Sequence, residues 1–367
     1  MPKRSYKTRS SYHNLKYKRR LSSKRRTKKV FKMFVLSLTG LVLFSVAFYL
    51  YTLTLVLKEP FVKASGSTDF SAKNYNSVSE FNIAFVKLED LKENSSKIKE
   101  LYLYRINPSD SYILNISIPV NSVVEGFSKD KSTVSDLYFL GNAGDEKRGI
   151  TNIKKYIVKS LAVNVDAYVL FDETTEKSLQ DIGVSFKHKD IATSIRYRSF
   201  LKINKIFDIL RANVKSDLSS IEAFKIITDS KNIKADKYRV IDLTENDLNN
   251  LPVFDDMWRS ENNLDLNVNY RNSAIVLNST STKGLALWGS RIVKNTGASI
   301  VDVGNFDKEY TESTIYTNDY ELPLVTYLIN TLKVKKVKST KDFLDDPFLA
   351  SRADVLLIIG KDTAELY

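Results

Sequence analysis

The chain has 367 residues with a formal net charge of +13, no cysteine and two histidines. Disulfides, cysteine-held metals, thiol nucleophiles and a histidine-rich metal site are therefore excluded. The charge is not spread: residues 1–32 carry fourteen Lys and Arg and no acid, so the rest of the chain is close to neutral, at −1.

The first element in chain order is an apolar helix over 33–57, reading MFVLSLTGLVLFSVAFYLYTLTLVL without charge or proline. At about 1.5 Å per residue it is long enough for a hydrocarbon core of about 30 Å. The hydroxyls of Ser37, Thr39, Ser45, Thr52 and Thr54 can bond back to the preceding turn, and Tyr49 and Tyr51 suit the headgroup level. Positive charge before such a helix is retained inside, which predicts a cytoplasmic tail at 1–32 and an extracytoplasmic remainder. A cleaved signal sequence would be shorter and would end at small residues, whereas Lys58, Glu59 and Pro60 follow here. The basic tail sets topology and meets anionic headgroups, each cation near the surface contributing about 1 kcal/mol; nucleic acid is the disfavoured partner.

Residues 58–79 are small, polar and aperiodic and read as a flexible spacer. An α/β alternation then begins. Strands are predicted at 81–86, 101–106, 111–118 and 167–171, and helices at 150–161, 173–182 ending at Gly183, 198–213 and 217–230. The acidic, Asn-rich stretch 246–272 reads as a connector. A smaller α/β unit follows, with strands at 273–277, 299–303, 313–316, 335–337 and 354–359 and helices at 283–295 and 321–331.

Other constellations favour structure over chemistry. His188 lies between Lys187 and Lys189 in a predicted exposed turn. Asp255-Asp256 and Asp345-Asp346 read as solvated turns. Trp258 and Trp288 read as packing residues rather than sugar platforms, and the KVKKVK run at 333–338 as a charged strand edge. Sequons stand at Asn94, Asn115 and Asn278.

Two segments carry a family resemblance. AIVLNSTSTKGLA at 274–286 is similar to the strand, N-G-T-G turn and G-L-A helix start of the LytR C-terminal domain, with Ser279 and Ser281 where glycines are usual. ADVLLIIGKD at 353–362 is similar to that domain's closing A-D-V-x-x-I-x-G-K-D segment. Upstream, Asn82-Ile83-Ala84-Phe85, Ser117-Ile118-Pro119 and Asp166-Ala167-Tyr168-Val169-Leu170 resemble the LytR-CpsA-Psr (LCP) domain of bacterial cell-envelope proteins. The resemblance implies a transmembrane helix at 33–57, a divergent LCP-like α/β domain at 80–245, the connector at 246–272 and a smaller LytR_C-like α/β domain at 273–367.

It further implies a ligand, a polyprenyl-linked glycopolymer, and a site of arginines and acids that grips its pyrophosphate with Mg²⁺ or Mn²⁺. Guanidinium pairs with phosphate through two hydrogen bonds, and a metal neutralises charge developing at the bridging oxygen. Here the expected Arg-Asp after Ser-Ile-Pro is Val120-Asn121, and an upstream Arg-Ser-Asp is Lys97-Ile98-Lys99. Glu89, as acid or metal ligand, and Arg196 match, with Arg198 as a stand-in. Three expectations result: a non-catalytic envelope protein binding wall glycopolymer, polyprenyl-phosphate lipid or a protein partner; a phosphotransferase rebuilt on Glu89, Lys97, Lys99, Arg196 and Arg198; or an anchored scaffold sharing only the fold.

Overall fold

The structure, a computed structural model, describes residues 10–64, 75, 80–109, 111–128, 131–143, 148–183, 203–261 and 272–367. Residues Met1–Lys58 and Glu59–Tyr367 form two compact units. In the first, helix α1 (Ser10–Lys58) is continuous, and Lys29–Lys58 is long and apolar enough to cross a membrane. Along it the hydroxyls of Thr39, Ser45, Thr52 and Thr54 donate to carbonyls three or four residues earlier, at 2.7–2.8 Å. Each of these four hydroxyls thus meets part of its hydrogen-bonding demand inside its own helix.

The second unit is α/β. In chain order it contains β1 (Phe81–Leu88), β2 (Ile98–Asn107), β3 (Tyr112–Ile118), β4 (Val123–Val124), β5 (Ser132–Thr133), α2 (Leu137–Asn142), α3 (Gly149–Leu161), β6 (Ala167–Phe171), α4 (Glu173–Gln180), α5 (Ile203–Asn213), β7 (Lys215–Ser216), α6 (Ser220–Asn232) and β8 (Tyr238–Asp242). Next come α7 (Glu245–Asn249), α8 (Leu251–Glu261), β9 (Ser273–Asn278), α9 (Leu285–Lys294), β10 (Ser299–Asn305), β11 (Thr314–Thr317), α10 (Pro323–Leu332), β12 (Lys336–Lys338), α11 (Pro347–Ala350), β13 (Val355–Ile359) and α12 (Lys361–Ala364).

The first sheet has the order β7-β6-β1-β2-β3-β8, with β1 parallel to β6 and antiparallel to β2, and β3 parallel to β8. The carboxyl ends of β1, β3, β6 and β8 therefore lie along one edge. Alternation along the strands sends Ala84, Val86, Leu103, Leu114 and Ile116 to the face covered by α2, α3 and α8. The second sheet, β10-β9-β13-β11-β12, splits its strand residues the same way. Val276, Val355 and Leu357 meet α9 and α10, while Ile275, Leu356 and Ile358 pack with Phe343 and Ala350. Helix α3 serves both cores: Ile150, Ile153 and Ile157 belong to the first, and Val158, with Ala162 just after the helix, to the second.

Several expectations change. Part of the segment read as a spacer is packed onto the second unit. Phe61 is 7% exposed and stacks on Phe207, Ser216 N donates to Val62 O, Ala64 N donates to Tyr168 Oη, and Tyr75 N donates to Glu222 while its hydroxyl donates to Asp229. The stretch read as a connector contains α7 and α8. Its weak periodicity hid an apolar pair, Phe254 and Trp258, one turn apart and each 1% exposed.

Asp255 is not in a solvated turn. It is 8% exposed and accepts from Arg291 Nε at 2.7 Å, Arg291 Nη2 at 3.0 Å and Asn295 Nδ2 at 3.0 Å. Asp256, Asp345 and Asp346 stay at the surface, Asp346 capping α11 through Leu349 N. Trp258 and Trp288 are both buried, and β12 with its lysines is a sheet edge, as the sequence predicts. Of the sequons, Asn115 and Asn278 are buried in strands and Asn94 is exposed.

The serines that replace the turn glycines lie outside the left-handed region; Gly284 takes that conformation, with φ +81°. Ser279 donates to Ile359 O at 2.7 Å and accepts from Tyr310 N, so it fastens the turn to β13. No glycine is needed at a position whose backbone is extended or right-handed.

Candidate functional site

The carboxyl edge of the first sheet is where an open α/β sheet offers a ligand its loops. Glu89 directly follows β1, Lys97 and Lys99 flank the start of β2, and Val120 and Asn121 follow β3. The register places them side by side, since Leu88 pairs with Ile98 and Leu101 with Ile118. The structure thus gathers Glu89, Lys97, Lys99 and Val120 on one edge; Arg196, Arg198 and His188 lie outside the described residues.

The loop after β1 is pinned on both sides. Glu89 N donates to Lys97 O at 3.0 Å, Asp90 N donates to Ser96 Oγ, and Leu91 N donates to Asp172 Oδ2. Asp172 also caps α4 by accepting from Thr175 N at 2.9 Å. The Glu89 side chain is exposed.

Beneath this loop lies a polar cluster that sequence reasoning missed. Lys87 and Glu100 are cross-strand partners with Nζ to Oε1 at 3.2 Å, and Glu176 of α4 accepts from the same ammonium at 2.6 Å. Tyr102 donates to the other oxygen of Glu100. Burial pulls the Lys87 ammonium down, but its bonds to Glu176 and Glu100 outweigh this and hold it above the ordinary lysine value. Burial, then Glu100, raises the Tyr102 phenol, so it remains a donor. The signal available in the sequence was a single charge, Lys87, inside the apolar run FNIAFVKL.

The outer cations are held as well. Lys97 Nζ lies 2.9 Å from Asp136, whose carboxyl is kept low first by Thr133 N–H and also by Lys97. Lys99 is 3.9 Å from Glu173, which Lys177 and Lys99 both hold below the usual carboxylate range. Val120, at the expected arginine position, packs its side chain against the first core, while Ser135 N donates to its carbonyl. Among the described residues no three Asp, Glu or His side chains converge as a metal site.

No family model and no curated protein matches this chain. Its likeness is to solved structures. TagT bound to LI-WTA is 14% identical, with 49% of this chain and 87% of that one covered and a TM-score of 0.35. TagV of B. subtilis is 16% identical, covering 46% and 86%, with a TM-score of 0.34. The LytR-CPS2A-psr family protein YwtF (TagT), with bound octaprenyl pyrophosphate lipid, is 15% identical, covering 49% and 86%, with a TM-score of 0.33.

At the described edge Lys87 lies between Glu100 and Glu176, Lys97 pairs with Asp136, and Lys99 shares Glu173 with Lys177. An anion placed there has to displace an existing pair, whereas a hydroxyl-rich or amide-bearing ligand can add to the exposed Glu89 and Asn121 without breaking one.

Proposed function

We propose that this protein is a membrane-anchored envelope protein, with its N-terminus cytoplasmic and residues after Lys58 extracytoplasmic, that binds wall glycopolymer, its polyprenyl-linked carrier or a protein partner without transferring phosphate. The observation that carries this reading is Val120. Where the sequence resemblance calls for an arginine to grip pyrophosphate, a half-buried apolar side chain packs against the core, and the nearest lysines are engaged by Asp136, Glu173, Glu100 and Glu176. A lysine does not reproduce the fork geometry of a missing guanidinium even when it is free to turn.

A phosphotransferase rebuilt on Glu89, Arg196 and Arg198 with Mg²⁺ or Mn²⁺ is the second reading. It is favoured by the exposure of Glu89, whose charge acts on Lys97 at the same edge. The two separate in one experiment. The full chain in lipid nanodiscs, given a polyprenyl-pyrophosphate saccharide, a wall acceptor and either metal, is expected to release no polyprenyl monophosphate and to co-sediment with isolated cell walls. Release that Arg196→Ala abolishes establishes the second reading and overturns the first.

A further inference from the structure

Between the helices of the two sheets lies a cleft of about 410 Å³, whose lining begins at Ser122, next to Asn121 at the carboxyl edge of the first sheet, and extends across α3 to α9. One wall is the β3–β5 connection, with Val123, Glu125 and Phe127; the floor is α3, with Tyr156 and Lys159; the far wall is α9, with Leu287 and Trp288. Glu245 and Asn249 of α7 and Tyr367 complete the lining. This volume is that of a small-molecule site rather than of a surface dimple.

The cleft is built rather than incidental. Its floor and far wall are bolted together where α3 ends. Trp288 Nε1 donates to Val158 O at 3.3 Å, Arg291 Nη2 to Ser160 O at 3.2 Å and Asn295 Nδ2 to Leu161 O at 3.2 Å, so three terminal carbonyls are met by α9. Two left-handed glycines shape its rim. At Gly126, φ is +82° and a Cβ would stand 3.3 Å from Lys159 Nζ; at Gly284, φ is +81° and a Cβ would stand 3.1 Å from Tyr367 Oη. A side chain at either position would push a lining group into the cleft.

The lining chemistry selects a ligand class. Phe127 and Tyr367 are half-buried rings, and Lys159 lies 5.6 Å from the Tyr367 ring centroid. Val123 and Leu287 are 63% exposed at the rim, and the carboxylates of Glu125 and Glu245 with the Asn249 amide are exposed around them. Apolar ring and aliphatic surface ringed by acceptors suits a molecule with C–H faces and many hydroxyl donors. Of the lining cations Arg291 is already paired with Asp255, and Lys159 alone faces the two rim acids Glu125 and Glu245, which disfavours a polyanion.

We propose that this cleft binds an uncharged oligosaccharide, two or three sugar rings long. The proposal deepens the envelope-binding reading and rests on it for the source of the saccharide. The test uses the full chain in nanodiscs and chitotetraose as the probe, with a glycerol phosphate trimer and a neutral decapeptide as comparisons, each titrated calorimetrically. Chitotetraose is expected to bind, with affinity lowered at least tenfold by Phe127→Ala and by the rim substitution Leu287→Asp, and unchanged by Lys341→Gln, an exposed position outside the cleft lining. Unchanged thermal unfolding of Leu287→Asp confirms that the loss is not misfolding.

The proposal is overturned if chitotetraose does not bind at millimolar concentration, if both cleft variants bind it like the parent, or if the trimer or the peptide binds more tightly. Wall co-sedimentation reads the other claim separately. Co-sedimentation that survives in the cleft variants leaves the envelope reading standing without this site, whereas chitotetraose binding by a chain that ignores cell walls does the reverse.

Discussion

Asp217 shows how a single buried carboxyl can tilt stability with pH. One oxygen accepts from Tyr168 N at 2.9 Å, but burial raises the group to about 6 against the downward pull of that N–H, Lys154 and Lys63. The folded state therefore holds the proton more tightly than the unfolded chain. The contribution is fully present below the ordinary aspartate value and is lost as pH rises through about 6. Asp217→Asn keeps the acceptor for Tyr168 and removes the charge. It is expected to flatten the urea-unfolding midpoint between pH 4.5 and 7 and to add about 1–3 kcal/mol at pH 7. A parent midpoint that rises over that window would contradict it.

Among elements, the segment after α1 behaves differently from its composition. Small polar residues predicted a free spacer, yet Phe61 against Phe207, Val62 beside the edge strand β7 and Ala64 on the Tyr168 hydroxyl tie its beginning to the sheet. Phe61→Ala removes the ring that seats this strap and is expected to cost about 2–4 kcal/mol. Amide exchange should show where: the N–H groups of Ala64 and Ser216, which bond across the strap, lose protection while the amides of β1 and β2 keep theirs. Equal loss in all four places would mean that the strap is part of the global fold rather than a local attachment.

For the molecule as a whole, the two sheets share a helix and a buried ionic latch. Asp255 of α8 holds Arg291 of α9 and Asn295 just after it, Trp258 Nε1 donates to Asn295 O at 3.0 Å, and Asn164 N donates to Tyr327 Oη at 3.0 Å. Removing one partner of such a latch strands the other. Asp255→Ala is expected to destabilise by about 3–5 kcal/mol because Arg291 keeps its burial without its counter-ion. The loss should appear in one unfolding transition, by calorimetry, that includes both sheets. Two separated transitions in the parent would show that the sheets fold independently.

Much of the second unit could be read from sequence because its strands and helices state their own period. FNIAFV, AYVLF and VLLII announce buried strands, and α3 and α10 carry apolar residues at helical spacing. What failed to show were features that depend on a distant partner. Asp255 looked like half of a solvated pair because its arginine is 36 residues away. Lys87 lay just past the predicted strand 81–86 and drew no reading of its own, because Glu176 is 89 residues away. The spacer hid an anchor residue, Phe61, whose pocket is made by a helix far along the chain.

Local physics in the sequence therefore determined the apolar helix, the charge asymmetry before it and the alternation of strands and helices, since each follows from residues within a few turns of one another. Tertiary structure alone decided which charges are satisfied, that Val120 packs inward, and that α3 joins two sheets around a cleft. Those outcomes depend on which surfaces meet, and a linear pattern does not contain the partner.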